Sequence, residues 1–228
     1  MENDLNIKFS FSINVFVVIL VTIALVISLT GFKFMQGYEP ASELTYIQIF
    51  SYFTVQANTF MGIVSLVFAI KEYQLLNKKI KEIALKYYIL KMVATIAVGL
   101  TLFVVFTIFG ILSKGGIMPL IRNSNLFFHL VIPLISILNF VILEKTDDIK
   151  LKHTFYGLIP TALYEVYYAT NLMANMKNGK VSPMYDWYNF AQNGLWSTIT
   201  VAPIMLGITY IIALTIWRIN SKINEQTI

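Results

Sequence analysis

The 228-residue chain contains no cysteine, which removes disulfides, thiolate metal sites and a cysteine nucleophile together. Histidine is nearly as scarce: the chain has only His129 and His153. They fall toward opposite faces on the orientation argued below, so a haem held by paired histidines is excluded. A hydrolytic metal centre wants a cluster of His, Asp and Glu, which the apolar segments do not offer at any one level. No metal and no cofactor are expected. Gly-x-Ser-x-Gly, a Gly-rich phosphate loop and His-Glu-x-x-His are all missing. Charge is sparse as well, at 13% of residues, and it lies in short blocks between long apolar runs. The formal net charge of +5 comes from lysines in those blocks, where they set orientation and meet anionic headgroups. Nucleic acid is therefore not an expected partner.

What is present is hydrocarbon. Hydrophobic residues make up 57% of the chain and the mean hydropathy is +0.69, too oily for a soluble domain of this length. Six apolar runs stand out, at about residues 11–32, 50–70, 89–112, 126–143, 155–172 and 196–217. At about 1.5 Å rise per residue each is long enough for a hydrocarbon core of about 30 Å, the shorter ones only just. The first run exceeds a signal-peptide core, has Lys8 as its basic flank and is followed by no small-x-small cleavage pattern, so it reads as a retained anchor. The expected architecture is all-α: a multi-pass membrane protein whose residues 1–228 form one six-helix transmembrane bundle.

Orientation follows from Lys and Arg alone. Twelve of the seventeen fall at the termini and in the second-to-third and fourth-to-fifth connections, against five on the other side. Both termini are therefore expected in the cytoplasm. The densest block, Lys71, Lys78, Lys79, Lys81, Lys86 and Lys91, reads as a topology determinant. The outward loops carry Gly37, Pro40, Gly115, Gly116, Gly179 and Pro183 with Tyr38, Tyr185, Trp187 and Tyr188, a composition of interfacial caps rather than domains.

Polar residues inside spans are the informative ones, because each needs a protein partner or water. On the second run Thr54 and Asn58 are four apart and share a helix face. On the fourth, Pro133 follows His129 by four residues and has no N–H, so the helix should bend there and expose an acceptor. The fifth carries Pro160, Tyr164, Glu165, Tyr167 and Tyr168. Counted from the outer ends, Thr54 and His129 lie about 5 Å deep and Asn58 and Glu165 about 10 Å deep. Groups on three helices at one level point to a polar pocket in the outer half of the bilayer, reached by lipids. Each residue also has a plain structural reading. An intramembrane threonine commonly bonds the carbonyl one turn back, a lone histidine bridges helices, a neutral glutamic acid bonds a tyrosine, and Asp186 is a turn residue.

The stretch Ser51-Tyr52-Phe53-Thr54-Val55-Gln56-Ala57-Asn58 and the stretch Phe128-His129-Leu130-Val131-Ile132-Pro133 resemble the androgen-induced-gene-one group and its bacterial six-helix relatives. Tyr185-Asp186-Trp187-Tyr188-Asn189-Phe190 looks like the bacterial branch, which implies a bacterial cell membrane. The resemblance covers most of the chain as topology and these short patches as residues. It implies a lipid or fatty-ester hydrolase in which Thr54 is the nucleophile and His129 its general base. Animal members of the group hydrolyse fatty acid esters of hydroxy fatty acids, but their outer loop after the fifth helix differs, so acyl-chain specificity is not carried over. Asn58, Glu165 and Tyr164 would support the site, with Glu165 a candidate to orient His129. The expected partners are membrane lipids or acyl esters. A non-enzymatic lipid binder or lipid mover would use the same pocket without covalent chemistry, and a small transporter is a third reading with few intramembrane charges to couple.

Overall fold

A computed structural model describes residues 2–35, 46–112, 116–144, 146, 148–182, 184–191 and 195–225. Gly37, Tyr38, Pro40, Gly115 and Pro183, assigned above to outer loops, lie outside the described residues. The chain is about 80% helical with almost no sheet. The long helices are α1 (Glu2–Thr30), α2 (Phe53–Leu76), α3 (Leu85–Phe109), α4 (Ser124–Ile142), α5 (Ile159–Ala174) and α6 (Leu195–Glu225). Five of them, all but α5, are long and apolar enough to cross a membrane.

α5 differs for a local reason. Pro160 stands at its first turn, where the missing N–H costs nothing, and the eight residues before it, Leu151–Leu158, wind as a tighter 3-10 helix. The α part alone extends roughly 24 Å, and the 3-10 part adds roughly 16 Å.

α3 is the centre of the bundle, touching α2, α4, α5 and α6, while α1 packs on α2 and α4. Its segment from Met92 to Leu100 is almost wholly buried and rich in small residues, Ala94, Ala97 and Gly99 among them. Lipid tails are as apolar as leucine, so close backbone approach and van der Waals contact hold such helices together. Gly157 shows how tight this is: a Cβ there would lie 2.4 Å from Ile96 Cδ1, so a larger residue would force the Ile96 side chain to move. The outward faces carry exposed Ile19, Ile23, Leu66, Leu134, Leu138 and Ile211, the surface a lipid-facing bundle presents.

Two helices widen into π turns. In α3 the turn spans Val105–Phe109 and in α4 it spans Phe127–Val131. A small hairpin, Met176–Lys177 paired with Lys180–Val181, follows α5. Asn178 and Gly179 both take positive φ in its turn, the geometry that Asn-Gly supplies most cheaply.

One expectation fails here. Lys91 is no loop lysine: it lies inside α3 with 0% exposure. It reaches Ser65 Oγ at 2.7 Å and Asn14 Oδ1, and stands 3.5 Å from Glu144 Oε1. Asn14 in turn donates to Glu72 at 3.0 Å and to Glu144 at 2.8 Å, and Asn139 donates to Glu144 at 2.7 Å. Two carboxyls, one ammonium and three amide or hydroxyl side chains therefore tie α1, α2, α3 and the end of α4 together. Burial raises the Glu144 carboxyl above the ordinary carboxylate range, and the Lys91 charge opposes that rise.

Candidate functional site at the Thr54 end of the bundle

Glu72 and Thr54 are eighteen residues apart on α2, so the second polar region lies roughly 27 Å from the first. Its starting point is the first turn of α2. Phe53 and Thr54 open the helix, and the N-cap residue, Tyr52, gives no side-chain cap. The loop that carries Tyr188 supplies one instead: the Phe53 N–H donates to the Tyr188 hydroxyl oxygen at 3.0 Å. Tyr164, on α5, donates to the Ser51 carbonyl at 2.7 Å and accepts from Trp187 Nε1 at 2.9 Å. The chain entering Thr54 is thus fixed from two directions by residues distant in sequence. Burial pushes the Tyr188 phenol up to about 12, so it remains a neutral hydroxyl at physiological pH.

The Thr54 hydroxyl makes no hydrogen bond among the described residues. The usual partner, the carbonyl four residues back, is Phe50, and it accepts from Gln56 Nε2 at 2.7 Å. Thr59 on the same helix does bond one turn back, to Val55 at 2.7 Å. The plain structural reading therefore fits Thr59 and not Thr54.

Asn58 joins the two helices of interest. Its Nδ2 donates to the Thr54 carbonyl at 2.8 Å and to the Phe128 carbonyl at 3.0 Å. The second acceptor exists because of Pro133. In the π turn the Ile132 N–H donates to the Phe127 carbonyl, five residues back, and the next donor in that register would be proline. Phe128 is left without a helical partner, one residue before the acceptor that α spacing indicates. Replacing Asn58 by leucine removes the donor and keeps the volume, so the Phe128 carbonyl is buried unpaired. Thermal unfolding in detergent is expected to show a loss of about 1–3 kcal/mol, and no loss would mean that water satisfies that carbonyl.

His129 follows Phe128 in the same π turn and is 9% exposed. Its Nδ1 meets the Leu120 carbonyl, an oxygen that only accepts. Nδ1 must therefore carry the proton, which leaves the Nε2 lone pair unused. The orienting partner is this backbone oxygen, whereas Glu165 was the candidate from sequence.

Two cavities meet at Thr54. The smaller, about 340 Å³, is lined by Thr54, His129, Tyr52, Leu120, Asn123 and Trp187, together with Lys33. The larger, about 450 Å³, is lined by Thr54, Tyr164, Glu165, Thr198 and mostly apolar residues of α3, α5 and α6. Val105 and Phe109, in the π turn of α3, line both, as does Tyr188. Thr54 and His129 thus share one cavity, and Thr54, Glu165 and Tyr164 share the other, where sequence spacing indicates a single pocket. Asn58 stands behind this wall as a tie between backbones. No family model matches the chain, and no curated protein or solved structure matches it.

The loop after the hairpin closes this end. Asp186, 7% exposed, accepts from the Tyr168 hydroxyl and from the N–H groups of Phe190 at 2.9 Å and Ala191 at 3.0 Å. It is the turn residue that the sequence indicates, and it packs Trp187, Tyr188 and Phe190 over α5. Sequence reasoning missed the Lys91, Glu72 and Glu144 cluster. The available signal was position, since Lys91 lies two residues inside an apolar run that begins at residue 89.

Proposed function

We propose that the chain is an intramembrane lipid or fatty-ester hydrolase with Thr54 as nucleophile and His129 as general base. The observation that carries this reading is that an unbonded hydroxyl and an imidazole with a free Nε2 line one cavity, while Asn58 ties their backbones together. An ordinary hydroxyl is a weak nucleophile, and an adjacent base removes its proton as it attacks. On this reading Thr54 Oγ1 adds to the ester carbonyl while His129 Nε2 takes the hydroxyl proton. Collapse of the tetrahedral intermediate breaks the bond to the alcohol, which leaves with that proton. Water, deprotonated by His129, then cleaves the acyl-threonine and restores the hydroxyl. The N-terminus of α2 lies at the reacting carbon, where its partial positive charge favours the oxyanion. Two cavities meeting at the nucleophile suit an ester, whose two arms diverge from one carbonyl.

The same proposal places the bundle in a bacterial cell membrane with six crossings and both termini in the cytoplasm. The length of α5 with its 3-10 entry supports the sixth crossing. The Lys and Arg bias supports the orientation even with buried Lys91 set aside, at eleven against five.

A fluorophosphonate probe tests the chemistry. Labelling is expected in the native protein and is expected to vanish in Thr54→Ala and in His129→Ala. No labelling of a folded native protein would instead favour a lipid binder that uses the same cavities without covalent chemistry.

A further inference from the structure

The larger cavity holds a group that the hydrolase chemistry does not use. Glu165 Oε1 is buried and has no hydrogen-bond partner among the described residues. Thr198 Oγ1, on a residue 9% exposed, is in the same condition, and both residues line this cavity. The other hydroxyls of α3 and α5 in its wall are already engaged: Thr161 bonds Thr209 at 3.2 Å and Thr101 bonds the Ala97 carbonyl at 3.4 Å. Among the described residues, no Lys, Arg or His lines the cavity. An ionised carboxyl in an apolar chamber is costly, and either protonation or an occupant that brings a counter-charge relieves that cost.

The remainder of the wall indicates which occupant. Phe53, Tyr164, Tyr168 and Tyr188 contribute aromatic rings near one end, and ring faces attract cations. Leu100, Val104, Met205 and Leu206 make the rest apolar. The unpaired oxygens of Glu165 and Thr198, aromatic rings and a hydrocarbon chamber are complementary to an ammonium group with N–H donors on an alkyl chain. The formal charge of the whole chain is +5, so non-specific attraction works against such a ligand and any preference must be local.

We infer that the larger cavity binds a single-chain amphiphile ending in a primary ammonium, with its head on Glu165 and Thr198. This rests on the unpaired atoms of that cavity and not on covalent chemistry at Thr54.

The test is calorimetric binding of dodecylammonium to the full chain in a neutral maltoside detergent, with dodecanol and dodecyltrimethylammonium as comparison ligands. Dodecylammonium is expected to bind at least about tenfold more tightly than dodecanol, and more tightly than the trimethylated head, which lacks N–H donors. Glu165→Gln is expected to remove the advantage over dodecanol, and Thr198→Val to reduce it. The exposed control Glu82→Gln, which makes the same change in net charge, is expected to leave it intact. The calorimetric readout needs no covalent step, so failure here and failure of probe labelling are separate results. Equal affinity for dodecanol would mark a hydroxyl site and overturn the inference, as would Glu165→Gln binding dodecylammonium like the native chain. A Glu165→Gln chain that unfolds is replaced by Glu165→Asp, in which the shorter carboxylate should weaken dodecylammonium by a few fold and leave dodecanol unchanged. No change there would also overturn it.

Discussion

Thr54→Ser is expected to retain hydrolysis of a fatty ester within about tenfold of the native rate, and Thr54→Ala to lower kcat on the order of 10³-fold. The serine hydroxyl occupies the place of the threonine hydroxyl at the start of α2, and nothing in the packing depends on the methyl carrying the chemistry. Alanine leaves the fold alone, because the Thr54 side chain bonds nothing that would be orphaned. The contrast between the two variants is therefore a statement about a nucleophile and not about stability. His129→Ala should cost about 10²–10⁴ in kcat, the range that a positioned base contributes, with the unfolding temperature recorded beside it because the Leu120 carbonyl loses its donor. Turnover by the alanine variant at the native rate would remove Thr54 from the reaction.

Lys91→Ala is expected to give the largest loss of stability of any single change in the bundle, about 3–5 kcal/mol, read as a fall in the unfolding temperature in detergent. The reason is not the strength of the ion pair. Removing the ammonium leaves Glu144 and Glu72 beside one another in a buried junction, where Asn14, Ser10 and Asn139 remain as hydrogen-bond donors. The double change Lys91→Met with Glu144→Gln removes the closest ion pair, keeps the volume and leaves Glu72 with its Asn14 donor, so it should recover more than half of that loss. If the single variant is as stable as the native chain, the junction is wet and the account of it is wrong.

Five helices long and apolar enough to cross a membrane were legible because uninterrupted apolar length is a one-dimensional property. The end of the site was legible for a similar reason: Thr54 and Asn58 share a helix face by spacing, and Pro133 marks the break in α4 wherever its neighbours lie. What spacing cannot carry is contact. The Tyr188 cap on Phe53, the Tyr164 bond to Ser51 and the Leu120 carbonyl on His129 each join segments whose separation along the chain says nothing about their meeting. The π turn of α4 moved the spare acceptor to Phe128, because the register depends on packing and the proline only removes a donor. Lys91 misled for the opposite reason. It stands beside true loop lysines, and membership of a basic block outweighed its position inside an apolar run.

The most direct measurement is the location of the adduct. After reaction of the native protein with a fluorophosphonate, peptide mass spectrometry should find one phosphonyl group, on Thr54, and none in His129→Ala. A phosphonyl group on a residue other than Thr54, or a folded and lipid-loaded protein that carries none, would contradict a threonine hydrolase.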